Sequence, residues 1–204
     1  MATRMVTRDE ATAARRTRPA PLRRQVARLA ALLLLAVGTV LPARAADTLP
    51  SEYDVKASLI VTFMKFVEWP DDTALTSPGP LVLAVVGNDP FGTALERATA
   101  GQSVNGRPVL VRRWHSARDL GPCHVLFVAV SDADDVKHIL GEVRGNAVLT
   151  IGDRPSFVSE GGIIGFFMHD SRIRFDINPS TAERSHLRIS SRLLAVAHVV
   201  QPGR

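Results

Sequence analysis

Three short stretches of this chain, residues 81–86, 124–130 and 147–151, run apolar almost without a break. A strand with no polar alternation has to be covered on both faces, which is the situation of a strand inside a parallel sheet. Helical segments separate these runs, one over residues 91–100 and one that Asp132 or Asp134 would cap and that reaches about residue 144. Strands alternating with helices of this length call for a mostly parallel sheet with helices on both sides. The turn pair Asn105-Gly106 precedes a further strand over residues 109–113.

The last third follows another pattern. Residues 163–168 are apolar, His169-Asp170-Ser171 is turn-like, and residues 172–177 alternate strictly. Ile173, Phe175 and Ile177 share one face, while Arg172, Arg174 and Asp176 share the other. This is an antiparallel hairpin whose second strand is wet on one face and sits at a sheet edge. The expected fold is an α/β, three-layer α/β/α domain, with a mostly parallel sheet and a C-terminal antiparallel hairpin. At its start, Ser51 and Asp54 have capping-box spacing, and Val55, Leu59, Phe63 and Phe66 recur at helical period up to a stop at Pro70. Residues 71–80 read as a loop. Asn178-Pro179 opens a short helix, with Asn178 as cap and Pro179 in the first position. Residues 190–200 are expected to form a final helix carrying Leu193, Leu194, Ala197 and Val200 on one side.

The net charge of +5 suggests a nucleic-acid binder until the charges are located. Residues 1–45 hold nine Arg against two acids, whereas residues 46–204 carry 16 Lys and Arg against 18 Asp and Glu. A phosphate-tracking groove needs concentrated positive charge, which the larger part does not supply, so nucleic acid is not expected as a partner. Arg23, Arg24 and Arg28 precede an apolar run from 29 to 41, followed by Ala43-Arg44-Ala45. This is the pattern of a cleaved signal peptide over residues 1–45, with one domain over 46–204 and a periplasmic location. Spanning a bilayer takes about 20 apolar residues, more than this run has.

Groups that carry chemistry are sparse. None of the six histidines lies four residues from another, so no metal site is expected. The serines lack a nucleophile elbow, and Gly161-Gly162 precedes a strand instead of joining strand to helix. No cofactor and no enzymatic activity are therefore expected. One loop, Gly87-Asn88-Asp89, follows the first buried strand, and Asp132 and Asp153 follow later ones. Ligands of open α/β sheets collect at such carboxyl ends, so these residues are the candidate crevice for a cation or amine. The same residue types also serve as turns and helix caps. Cys123, the only cysteine, reads as a small buried hydrophobe opening a strand, with an intermolecular bridge as the alternative. Trp69 is either core or an anchor for a partner protein.

Several segments together resemble one family. Tyr53-Asp54-Val55-Lys56-Ala57 leads to Phe63-Met64-Lys65-Phe66-Val67-Glu68-Trp69-Pro70. Val86-Gly87-Asn88-Asp89-Pro90-Phe91-Gly92, Val104-Asn105-Gly106-Arg107-Pro108-Val109 and Cys123-His124-Val125-Leu126-Phe127 follow. Leu149-Thr150-Ile151-Gly152-Asp153, Arg172-Ile173-Arg174-Phe175-Asp176-Ile177-Asn178 and Leu187-Arg188-Ile189-Ser190-Ser191-Arg192-Leu193-Leu194 complete the series. In this order they resemble the YfiR-like family. The resemblance implies a periplasmic α/β protein that dimerises and binds the sensor domain of an inner-membrane diguanylate cyclase. It would hold that enzyme inactive and so lower cyclic-di-GMP signalling and biofilm formation. An outer-membrane-associated lipoprotein would sequester the regulator. This role predicts an exposed apolar patch around Phe157, Ile163 and Ile164 or around Trp69. The alternative is a periplasmic small-ligand-binding sensor using Gly87, Asn88 and Asp89. In one respect the chain departs from the family: Ala84 stands where a cysteine partner for Cys123 is expected, so redox control through an intrachain bridge does not carry over.

Overall fold

The structure is a computed structural model that describes residues 50–70 and 79–200. The expected leader, the loop over residues 71–78 and the last four residues lie outside the described part. Helix α1, Glu52–Met64, opens with the expected capping box. The Ser51 hydroxyl accepts from the Asp54 N–H at 3.2 Å, and the Asp54 carboxylate accepts from the Ser51 N–H at 3.0 Å. The helix does not run on to Pro70. Val67–Glu68 form a short strand, β1, antiparallel to β9 at Arg188–Ile189. The Phe66 carbonyl accepts from the Ser190 N–H at 2.9 Å. Backbone pairing offered by the far end of the chain thus ends the helix before proline could.

The main sheet has the order β10-β8-β7-β6-β5-β2-β4-β3. Its parallel centre consists of β2 (Leu81–Gly87), β4 (Arg107–Trp114), β5 (Val125–Ala129), β6 (Leu149–Gly152) and β7 (Ile164–His169). The three apolar runs are β2, β5 and β6, which lie side by side and buried, as expected. Asn105 and Gly106 both adopt positive φ, 51° and 78°, and turn β3 (Ser103–Val104) into β4. At the other end β7 pairs antiparallel with β8 (Arg172–Ile177), so the predicted hairpin is present with Phe166 opposite Phe175.

Helices cover both faces. On one side α1 and α2 (Ala94–Thr99) join α4 (Pro179–Arg184) and α5 (Ser191–Leu194) around Phe63, Phe127, Phe166 and Leu193. On the other, α3 (Ala133–Glu142) packs Val136, Ile139 and Leu140 on Val86, Leu126 and Val128. Cys123 lies buried in this second core together with Ala84. The expected helix over 190–200 is in fact α5, four residues long. The chain then turns into β10, His198–Val199, which runs parallel to β8. The Val200 N–H donates to the Ile177 carbonyl at 2.8 Å, an edge bond that a continuing helix would forgo.

Candidate functional site: the carboxyl edge of the parallel sheet

The chain leaves β2 toward α2 on one face and leaves β5 toward α3 on the other. The strand order therefore reverses between β2 and β5, where open sheets leave a crevice. Gly87 ends β2 beside Ala129, and Gly152 ends β6 beside Val128. Asp89, Asp132 and Asp153 follow at this same edge, so the predicted residues do come to one rim of the sheet.

That rim is closed, and its acids are committed. Gly87 has φ +100°, and a Cβ there would lie 2.5 Å from the Ala129 carbonyl oxygen. Only glycine lets the loop cross so near, and the Asn88 N–H then donates to that same carbonyl at 3.0 Å. The two strand ends are bonded together where the crevice would open. Asp89 accepts from the Phe91 N–H at 2.8 Å and from Arg113 Nε at 2.6 Å. Arg113 also holds Glu96, whose carboxyl is kept below its usual range chiefly by that bond. Asp132 caps α3, accepting from the Asp134 and Asp135 N–H groups at 2.9 and 3.1 Å, and those bonds lower its pKa. Its role is that of a cap, as its residue type allowed.

Asp153 is engaged most closely. It accepts from Lys56 Nζ at 2.8 Å and from the Tyr53 hydroxyl at 3.0 Å. Lys56 is only 4 % exposed and also reaches Glu52 at 2.6 Å, with its ammonium 4.5 Å from the centre of the Tyr53 ring. Burial pushes the lysine pKa down, but bonds to Asp153 and Glu52 outweigh this and the net shift is upward. Burial, reinforced by the bond to Asp153, raises the Tyr53 phenol as well. This cluster fastens the first two turns of α1 to the end of β6. Sequence reading missed it because Lys56 was not assigned to the buried stripe of α1. The interior positions are Lys56, Ala57, Ile60, Val61, Phe63 and Met64, rotated from the stripe that begins at Val55. A stripe drawn through 53, 56, 60 and 63 would have placed Tyr53 and Lys56 inside, and a lysine there demands a buried carboxylate.

The residues expected to dock a partner divide sharply. Phe157 is 1 % exposed and Ile163 and Ile164 are fully buried, so none offers a surface in this fold. Phe157 is the centre of a clasp: a Cβ on Gly162 would lie 2.2 Å from its ring, and one on Gly152 would lie 2.6 Å from it. Apolar character alone does not distinguish a docking anchor from this core plug. Trp69 is half-buried, packs against the larger core and meets the His124 ring edge-on at 6.4 Å. It also lines an open groove of about 720 Å³ with Glu68, Glu183 and Arg188. Among the described residues no three His, Cys, Asp or Glu converge to hold a metal ion, and no helix is long and apolar enough to cross a membrane.

Comparison with known families decides the assignment. The model of the YfiR/HmsC-like (DUF4154) family matches residues 53–198, from Tyr53 at the latch to His198 in the edge strand. The chain belongs to the YfiR/HmsC-like family. The members of this family are periplasmic regulatory proteins, not enzymes. The crystal structure of a conserved domain protein from Vibrio cholerae O1 biovar eltor str. N16961 is similar with a TM-score of 0.49 and 15 % identity. That likeness covers 73 % of this chain and 60 % of the other, so the YfiR/HmsC-like chain spans less than two thirds of that protein's length.

Proposed function

We propose that this YfiR/HmsC-like protein is exported by a signal peptide over residues 1–45 and acts in the periplasm as a negative regulator. It binds the sensor domain of an inner-membrane diguanylate cyclase and lowers cyclic-di-GMP output. The single observation supporting this is the family match over residues 53–198. The state of the sheet edge agrees with it, since Asp89, Asp132 and Asp153 are all engaged by the protein's own groups. A small ligand at Gly87, Asn88 and Asp89 would have to displace Arg113 or break the bond between Asn88 and Ala129. For that reason the ligand-sensor reading ranks second. Repression needs only differential affinity: a regulator that binds the inactive sensor conformation and not the active one shifts the population by the ratio of the two affinities. Capture by an outer-membrane-associated lipoprotein would reverse the shift by mass action, and a homodimer would present two such surfaces.

The test is intracellular cyclic-di-GMP in the source bacterium with the gene deleted and then restored in exported form. A rise on deletion that complementation reverses is the expected result. Unchanged levels across several growth conditions would remove the cyclase from the proposal and return attention to ligand binding.

A further inference from the structure

One face of the β7–β8 hairpin is left bare. Val158 covers it as far as Gly165, where its side chain lies 2.7 Å from the place a Cβ would occupy. Beyond that point Phe167 stands opposite Arg174, and His169 opposite Arg172. Both arginines are exposed, and among the described residues no hydrogen bond or ion pair holds either side chain. Asp176 on the same face is taken by His198, whose Nδ1 lies 2.6 Å from its carboxylate. Unpaired positive charge is concentrated here, although residues 46–204 carry a small net negative charge.

The strand edge beside this face is open too. β10 meets β8 only at Asp176 and Ile177. Because the Ile177 carbonyl faces β10, strand alternation turns the backbone N–H and C=O of Ile173 toward the same side, where no described strand pairs with them. The segment that could have extended β10 turns away: the Val196 and Ala197 N–H groups donate back to Leu193 and Leu194. What remains is a groove of about 510 Å³ between β8 and residues 196–198, with Phe167, Arg174 and Val196 in its walls. Val196 is 69 % exposed.

We infer that this groove receives an extended acidic segment of a partner protein, which adds as a strand to the free edge of β8 and places carboxylates on Arg172 and Arg174. Strand addition takes its affinity from backbone pairing and its specificity from alternate side chains, and both elements are present here. A second copy fits less well, because two β8 edges pairing antiparallel would bring their arginines together on one face. An anionic membrane fits less well again, since Phe167 is half-buried instead of protruding and lipid would offer the open backbone of Ile173 no strand to pair with. The inference rests on the regulator reading only for the partner's identity.

The test uses the exported chain, wild type and with Arg172→Glu plus Arg174→Glu, both on an exposed face where reversal leaves the core untouched. The probes are a ten-residue peptide of alternating Glu and Val, its Lys-Val counterpart, and vesicles of phosphatidylcholine with phosphatidylglycerol. Saturable binding of the Glu-Val peptide alone, weakened about tenfold or more by the double reversal and by added salt, is expected. Indifference to the reversal, equal binding of the Lys-Val peptide, or vesicle binding without peptide binding would overturn it. The same variant is then used to complement the deletion strain. Deletion that raises cyclic-di-GMP, fully repressed again by the reversed variant, sinks the docking face and spares the regulator. Peptide binding with no cyclic-di-GMP response to deletion does the opposite.

Discussion

Lys56 carries more consequence than any other single side chain here. A lysine that is only 4 % exposed is tolerated because Asp153, Glu52 and the Tyr53 ring surround its ammonium. Removing a partner leaves a buried charge, so Asp153→Asn is expected to cost about 2–3 kcal/mol in urea unfolding. This lies below the ~3–5 kcal/mol of a fully buried pair, because Asp153 is partly wet and Glu52 remains. Lys56→Met, which takes the charge away together with its desolvation cost, should cost less. The pH dependence has a definite sign. Both Lys56 and Tyr53 have folded pKa values raised above their ordinary 10.5 and 10.0, so each favours the folded state while protonated. Their contribution is complete below those ordinary values and is lost as pH climbs through the folded ones. Wild type should therefore weaken from about pH 10 upward, and Lys56→Met should weaken less steeply; parallel urea midpoints for the two proteins would refute the latch. The sequence shows a lysine and an aspartate about a hundred residues apart and nothing that joins them. Only the topology, which brings the start of α1 to the end of β6, makes the pair.

At the scale of elements, what local chemistry dictates was readable and what distant pairing dictates was not. The Ser51 capping box, the Asn105-Gly106 turn, the Asn178-Pro179 opening and the wet alternation of β8 each depend on neighbouring residues, and each is where the pattern placed it. The two misjudged segments, the tail of α1 and residues 190–200, are those that exchange backbone bonds across the domain. Helical periodicity in residues 190–200 is real, but the open edge of β8 offers Val200 a partner that the pattern could not reveal. The crevice residues illustrate a different limit: Asp132 satisfies two end groups of α3, and residue type alone allowed cap and ligand alike. Asp132→Ala should lower stability measurably, and Asp132→Ser by less, since serine also caps. Equal losses for the two, measured by thermal or urea unfolding, would argue against the capping role.

For the whole molecule, Cys123 offers a built-in gauge of integrity. Burial pushes its thiol up to about 12, so at neutral pH it is neither ionised nor reachable. Labelling by a disulfide reagent should proceed roughly a hundredfold more slowly than in denaturant, at a rate set by opening of the second core. Rapid stoichiometric labelling of the native protein would mean that this core is not closed. The two-sided α/β architecture was legible because three apolar strands leave few alternatives, and so was the wet face of β8; the open backbone edge beside that face was not, since it depends on where residues 196–200 turn.

Last, the pairing of Val67 and Glu68 with Ile189 and Arg188 ties the front of the domain to its end. A polypeptide built this way cannot finish its first helix and neighbouring strand as a stable unit while it is still being made. The exit of α1 stays unclosed until the final stretch has emerged, and the domain matures late and all at once. A fold whose fastening joins its early and late described segments closes only when both are present.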